Sequence, residues 1–307
     1  MVKKDYWDLT NKPQTKIKLN ILKDYLSAWA KIFAKREYCK QLYYVDCFAG
    51  RGKYHNGKQR DVIDGSPLVA INIAKDIKTK YGCKMTCFLV EEDPKTFQDL
   101  ESFVKPSMKE IEIHALKGDV NREIDKILAQ IPNNRWSPIF FFVDPGGIDI
   151  KSESIEKMLN KSNIKEFLIT YIQKGVERCL GFGSKAMTLP VDIQGRAISN
   201  LKRVEDFFGT SWKNLTKDEK ENLKKYLNVF VKYNKQFLTP QNKLKFRIID
   251  ILYNQGKNKY YLIFVSRNET ALKIIEDIYT QKKATGTIFN LLPPSEKKKI
   301  FRKGFSI

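Results

Sequence analysis

The chain has 307 residues, 42% of them hydrophobic, which is enough for one large domain with a substantial core and excludes disorder of its bulk. Its 56 Lys and Arg residues against 35 Asp and Glu residues give a formal net charge of +21. That charge favours a polyanionic partner, with nucleic acid ahead of a membrane surface, although a Lys-rich composition set by AT-rich coding would also produce it.

Targeting and membrane signals are absent from the pattern of the sequence. No stretch approaches the roughly 20 apolar residues that a membrane span requires, and the first ten residues, MVKKDYWDLT, lack the apolar core of a signal peptide. We therefore expect a cytoplasmic protein that does not bind a membrane.

Helices and strands alternate along the first half of the chain. Residues 16–35 have apolar positions at three- and four-residue steps, which predicts an amphipathic helix. Five short apolar runs then read as strands, near residues 41–48, 84–93, 110–116, 138–147 and 166–172. Helices are predicted between them, the first with Ser66 as its N-cap and Pro67 in its first turn. The fourth run, PIFFFVDPGG, is apolar throughout, as expected of a parallel strand covered on both faces.

The second half of the chain changes character. Residues 243–254 and 259–268 predict an antiparallel hairpin around a QGKN turn, and residues 269–283 a final helix. A doubly wound, mostly parallel sheet closed by a C-terminal hairpin is the α/β, Rossmann-like arrangement of class I methyltransferases. We assign this domain to residues 1–175 and 244–290, a helical insertion or substrate lobe to 176–243, and a basic tail to 291–307.

Acidic residues follow four successive predicted strands. In doubly wound sheets ligands bind beyond the carboxyl ends of the strands, beside a glycine turn and a helix N-terminus. A carboxylate there repels a pyrophosphate and suits the ammonium of S-adenosylmethionine (SAM), so the sequence favours SAM over NAD. The predicted cofactor residues are Asp46, Phe48, Ala49, Gly50 and Gly52 of the first turn, Glu91 or Glu92 for the ribose hydroxyls, and Asp119 for the adenine amine. Taken singly, each acid also fits a helix cap or a solvated loop, and Asp119 in particular fits an N-cap.

Several of these motifs, in this order, resemble the three-Cys-motif partner protein (TcmP) family. The resemblance spans about residues 15 to 285 and is carried by VDCFAGRGKY, DGSPL, VEED, KGDVN, FFFVDPGG, FFGTSW and YYLIFVSRN. It implies a class I methyltransferase fold, a SAM site, and a partner protein with a radical-SAM-like three-cysteine motif. The cysteines of that motif would belong to the partner.

Asp144 and Pro145 end the fourth strand and are the predicted catalytic residues. Amino-group methyltransferases with a DPPY motif use the acid and the proline carbonyl to hold an exocyclic amine, with an aromatic ring on the flipped base. Here Gly146 and Gly147 replace the second proline and the ring, so base N-methylation stays one alternative among others. Cytosine C5 chemistry needs a thiolate near this strand end, and the sequence has no cysteine there.

Basic and aromatic residues near these strand ends predict a nucleic-acid surface. The basic candidates are Arg51, Lys53, Lys58, Arg60, Lys174 and Arg178, and the stacking candidates are Tyr54, Tyr171 and Phe182. The five cysteines lack zinc-finger spacing and are interpreted as reduced thiols without a metal.

Three functions of different classes fit the sequence. The first is a SAM-dependent methyltransferase acting on a DNA or RNA base. The second is a catalytically degenerate SAM- or nucleotide-binding accessory protein that works with the three-Cys-motif partner. The third is a nucleic-acid-binding module without a cofactor. We favour the first, because electrostatic binding alone gives a basic chain no reason to keep four aligned acids.

Overall fold

The computed structural model describes residues 7–9, 13–55, 62–183, 190–209, 244–253 and 258–284. Within these ranges the strands are β1 Gln41–Asp46, β2 Lys53–His55, β3 Val62–Asp64, β4 Lys84–Glu91, β5 Ile113–Lys117, β6 Ile139–Val143, β7 Lys165–Tyr171, β8 Lys245–Tyr253 and β9 Asn258–Ser266. The helices are α1 Pro13–Ala34, α2 Ser66–Tyr81, α3 Pro94–Val104, α4 Val120–Gln130, α5 Ser152–Asn160, α6 Gln173–Gly183, α7 Val191–Phe208 and α8 Glu269–Ala284.

Seven of these strands form one sheet in the order β5-β4-β1-β6-β7-β9-β8. The first five pair in parallel, and β9 pairs antiparallel with both β7 and β8. This is the Rossmann-like sheet of class I methyltransferases, closed by a C-terminal hairpin, and the fold prediction is confirmed. The hairpin pairing is also confirmed, whereas most of its QGKN turn lies outside the described residues.

Helices cover the sheet on both faces, which explains the continuous apolar runs of its central strands. Phe140 and Phe142 of β6 pack in one cluster with α1, α2 and α8, and Phe141 packs in the other with α4 to α7. Successive side chains of a strand point to opposite faces, so three consecutive phenylalanines serve two cores. No described helix is both long enough and apolar enough to cross a membrane.

Two local features differ from the sequence prediction. The loop after β1, where the sequence analysis placed no strand, contains a small antiparallel hairpin of β2 with β3. The N-cap of α2 is Gly65, not Ser66, so that prediction was wrong by one residue. The reason is a close approach of backbone: Gly65 N donates to Gly52 O at 2.8 Å, and a Cβ on residue 65 would lie 2.8 Å from that same oxygen.

The five cysteines are free and buried, as predicted. Cys39 and Cys83 lie together where α1 leads into β1 and α2 into β4, and Cys83 Sγ lies 3.5 Å from Cys39 O. Burial and the neighbouring Asp46 carboxylate raise the pKa of Cys47 and Cys87. These thiols therefore act as small core residues and not as nucleophiles.

Glu166 is a buried acid inside β7. Tyr25 Oη donates to it at 2.7 Å and Ser266 Oγ at 2.9 Å. Burial raises the pKa of this carboxyl from 4.5 to about 7, against the lowering effect of the two hydrogen bonds. The folded chain therefore holds a proton here in a pH range where the unfolded chain has lost it.

This proton makes stability depend on pH in a defined direction. The contribution of Glu166 is fully present below pH 4.5 and is lost as pH rises towards about 7, at roughly 1.4 kcal/mol per pH unit. We expect the free energy of unfolding of Glu166→Gln, measured in urea, to fall less steeply over this window than that of the wild type. Glu101→Gln, at an exposed position of α3, is the control and should follow the wild type. Parallel curves for Glu166→Gln and wild type would contradict the buried proton.

Candidate functional site

A cleft of about 820 Å³ opens at the carboxyl ends of β1, β4, β5 and β6. Its walls come from the segments that follow these strands, near residues 47–50, 90–96, 118–121 and 144–151. Trp7 and Tyr54 close one side, and Arg203 and Asp206 of α7 close another. The volume is typical of a site for a small molecule or cofactor.

The turn after β1 is fixed to β4 by backbone hydrogen bonds. Ala49 N donates to Val90 O at 2.8 Å, and Gly50 N donates to Glu91 Oε2 at 3.0 Å. Gly50 has φ +64, in the left-handed region, and a Cβ on it would lie 3.0 Å from the ring of Trp7. Glycine is therefore required here both by conformation and by space.

Asp46 ends β1 but lies beneath the cleft and not on its wall. It is fully buried, and Tyr44 Oη donates to its Oδ2 at 3.0 Å. Burial raises its pKa to about 7, although hydrogen bonds from Ser66 and Tyr44 lower it, and the nearby Asp144 carboxylate raises it further. Asp46 thus ties the end of β1 to the start of α2. It does not line the cleft, and its role towards the ammonium of a cofactor stays a prediction.

Glu91 and Glu92 both line the cleft but differ in their hydrogen bonds and in their exposure. Glu91 accepts from two backbone N–H groups, Gly50 N at 3.0 Å and Asp93 N at 2.8 Å. Burial raises the pKa of Glu91, against the lowering effect of these bonds. Glu92 is exposed at the mouth of the cleft.

Asp119 is the N-cap of α4, the structural role that its position in the sequence also allowed. Its Oδ1 accepts from Asn121 N at 2.9 Å and from Asn121 Nδ2 at 2.8 Å. Asn121 also binds Asp149 O and Lys151 N, both at 2.9 Å, so it joins the β5–α4 corner to the loop after β6. Sequence reasoning missed Asn121, although the KGDVN motif contains it. Asp119 caps the helix and lines the cleft at the same time.

Asp144 follows β6 and forms an ion pair with Lys18 of α1. Both side chains are largely buried, with exposed fractions of 16% and 13%. Lys18 stands 126 positions before Asp144, and nothing local in the helix pattern marked it as a site residue. Pro145 is buried directly behind Asp144.

Acidic side chains dominate the cleft although the chain is strongly basic. Among the described lining residues seven are acidic and two are basic: Glu91, Glu92, Asp93, Asp119, Asp144, Asp149 and Asp206 against Lys151 and Arg203. Both basic residues are paired with acids, Arg203 with Asp149, and Lys151 with Asp206 at 3.7 Å. The cleft therefore favours a cation over an anion.

Four of the six predicted basic residues lie within the described part of the chain, two at or just before β2 and two on α6. Arg51 forms a salt bridge with Asp99 at 3.1 Å, and Lys53 lies 4.7 Å from the centre of the Phe103 ring, so both support local packing. Lys174 and Arg178 are exposed on α6. Lys58 and Arg60 lie outside the described residues.

The three aromatic stacking candidates also differ. Tyr54 lines the cleft, as a stacking residue must. Tyr171 is buried in the core beside Phe207 and Tyr261, so it presents no ring to the surface. The side chain of Phe182 lies outside what the structure describes.

Comparison with known proteins adds little beyond the fold. No family model and no curated protein matches the chain. Similar solved structures include an O-methyltransferase from Bacillus cereus in complex with SAH, 10% identical, covering 87% of this chain and 93% of that one, with a TM-score of 0.40. The METTL16 MTase domain is 11% identical over 79% and 66% of the two chains, also at a TM-score of 0.40. A precorrin-6y C5,15-methyltransferase from Geobacter metallireducens is 10% identical over 78% and 87%, at 0.32. Likenesses this distant say nothing about the reaction, which must be argued from the site.

Two glycines allow the contact between Gly50 and Trp7 to be measured. Gly50 and Gly82 have nearly the same φ, +64 and +65, but a Cβ on Gly82 would meet nothing within 4 Å. We expect Gly82→Ala to lose about 1–2 kcal/mol from the left-handed backbone alone. Gly50→Ala should lose about 1–3 kcal/mol more, because the new methyl group displaces Trp7. Urea unfolding measures both, and equal losses would show that Trp7 does not pack against the turn.

Proposed function

We propose that the protein is a SAM-dependent methyltransferase that acts on a base of nucleic acid. The observation that carries this proposal is the acidic cleft at the carboxyl ends of four parallel strands, in a chain whose net charge is +21. A cleft of this sign in a basic protein indicates selection for a cationic ligand.

The residues of the cleft fit SAM in charge and in hydrogen-bonding type. SAM carries a sulfonium and an ammonium group, which acidic walls favour, whereas the pyrophosphate of a dinucleotide would meet more carboxylates than basic groups. Glu91 or Glu92 would hold the ribose hydroxyls, and Asp119 would accept from the adenine amine. The turn at Phe48, Ala49, Gly50 and Gly52, with its small residues, would let the ligand approach the backbone closely.

Asp144 and Pro145 are the proposed catalytic residues, because Asp144 lines the cleft at the end of β6 and Pro145 follows it directly, with a carbonyl that would help to hold the acceptor. When bound, SAM supplies an electrophilic methyl group. Asp144 would hold the acceptor through an N–H or O–H group and take up the proton that it loses, while Lys18 keeps the carboxylate in place. The protein would otherwise act by orienting the acceptor and excluding water.

The distribution of charge supports a nucleic-acid acceptor. Because acids are concentrated in the cleft, the rest of the surface is more basic than the net charge alone implies. Phosphates would bind outside the cleft, with Lys174 and Arg178 of α6 as exposed candidates, while a single base enters it.

Membership of the TcmP family, and with it a radical-SAM-like three-Cys-motif partner, belongs to the same proposal. It rests on the motifs of the sequence, since no family model matches. SAM binding without methyl transfer to DNA, RNA or protein would favour the accessory role beside that partner over catalysis.

Titration calorimetry tests the cofactor. We expect SAM and S-adenosylhomocysteine to bind and NAD⁺ not to bind. Asp119→Asn should weaken SAM about tenfold or more, because a charged hydrogen-bond acceptor is lost while Asn still caps the helix. Asp125→Asn on the same helix, outside the cleft, is the matched control and should bind SAM like the wild type. If the wild-type protein does not bind SAM, the proposed function is refuted.

A further inference from the structure

A second, smaller cavity of about 160 Å³ adjoins the cleft at Asp144. Asp144 and Gly146 line both cavities, so the two spaces meet at the end of β6. The other walls come from the first turns of α1, with Gln14 and Lys18, and from β7, with Thr170. A space of this size equals about five water molecules and admits one small planar group, not a whole nucleotide.

Two side-chain oxygens of residues that line this cavity are buried without a hydrogen-bond partner among the described residues. They are Oε1 of Gln14 and Oγ1 of Thr170, whose residue is only 3% exposed. An unsatisfied buried polar atom costs about 1–3 kcal/mol, so folded proteins rarely keep one without a use. Both residues line the cavity that opens at the proposed catalytic carboxylate. This points to a ligand that completes their hydrogen bonds.

The polar groups of the cavity specify which hydrogen-bond donors and acceptors the ligand must present. Asp144 and Gln14 Oε1 accept hydrogen bonds, Lys18 Nζ donates, and the Thr170 hydroxyl can do either. An exocyclic amine beside a ring nitrogen offers two donors and one acceptor, which matches this set. A carbonyl beside a ring N–H, as in uracil, offers one acceptor and only one donor, so it would leave either Asp144 or Gln14 Oε1 without a hydrogen bond.

We propose that this cavity is the acceptor pocket and that it takes the amino edge of cytosine or adenine. The inference rests on the proposed function and deepens it. Transfer would form a nitrogen–carbon bond with the lone pair of the amine, leave the carbon–sulfur electron pair on sulfur as a neutral thioether, and release one amine proton to Asp144 and then to water. Gln14 and Thr170 bind the base, and Lys18 positions Asp144.

Cytidine and uridine are matched probes, because they have nearly the same shape. Cytidine presents an amino group beside a ring nitrogen, where uridine presents a carbonyl beside a ring N–H. With S-adenosylhomocysteine at saturation, ligand-detected NMR should show cytidine bound and uridine unbound. Adenosine, tested in the same way, should also bind. Equal signals from cytidine and uridine would overturn the recognition of an amino edge.

Thr170→Val separates a binding role from a structural one. Replacing an unpartnered buried hydroxyl with a methyl group should leave the melting temperature unchanged or raise it. The same variant should weaken cytidine binding, and raise KM for methyl transfer to a cytosine- or adenine-bearing oligonucleotide, at least fivefold, with kcat changed less. Thr79→Val, at an exposed site of α2, is the control. A lower melting temperature with unchanged binding would show a structural hydroxyl and overturn the proposal.

Failure of the proposed function is a separate result. The affinity of Thr170→Val for SAM should stay within twofold of the wild type, because Thr170 does not line the larger cleft. If the wild-type protein binds no SAM, the proposed function fails, and with it this pocket as an acceptor site. If SAM binds and cytidine and adenosine do not, only the pocket assignment fails.

Discussion

The site depends on the common end point of neighbouring parallel strands. Asp46 is paired in register with Leu89 of β4 and with Phe142 of β6, so three strands reach the same edge of the sheet together. Parallel strands return through helices on the faces, and each therefore begins its crossover at that edge. The residues that follow these strands are brought together by topology, although they lie far apart in sequence.

The charge of the molecule is divided between two environments. A basic surface attracts a polyanion over a long range, whereas an acidic cleft shielded from that surface selects a cation at short range. The two preferences do not cancel, because charges in bulk solvent are screened and those within the cleft are screened less. One chain can therefore attract ligands of opposite charge to neighbouring places.

Local patterns predicted most of this fold, because the periodicity of apolar residues directly reflects burial on one or two faces. The uninterrupted run of β6 required cover on both sides, and the structure supplies it. The acids at strand ends were predicted for the same reason, since a topology of parallel strands fixes where they meet. The sequence patterns could not predict how deeply each acidic side chain is buried. Asp46 lies beneath the cleft, whereas Glu92 lies at its mouth. The patterns also could not predict that Lys18 pairs with Asp144, because the two residues meet only when α1 packs on the sheet.

Helix α1 combines two duties. Its later turns bury Trp29 against Phe140 in the core, with ring centroids 5.6 Å apart, and its early turns carry Lys18 to Asp144. The two positions are separated by about 16 Å of rigid helix, at 1.5 Å per residue. A substitution in the core that tilts or shifts α1 would therefore move Lys18, although the substituted residue does not contact it. Substitutions in the hydrophobic layer would then change the ion pair with Asp144 at the far end of the helix, so the interior and this end of the cleft would have to evolve together.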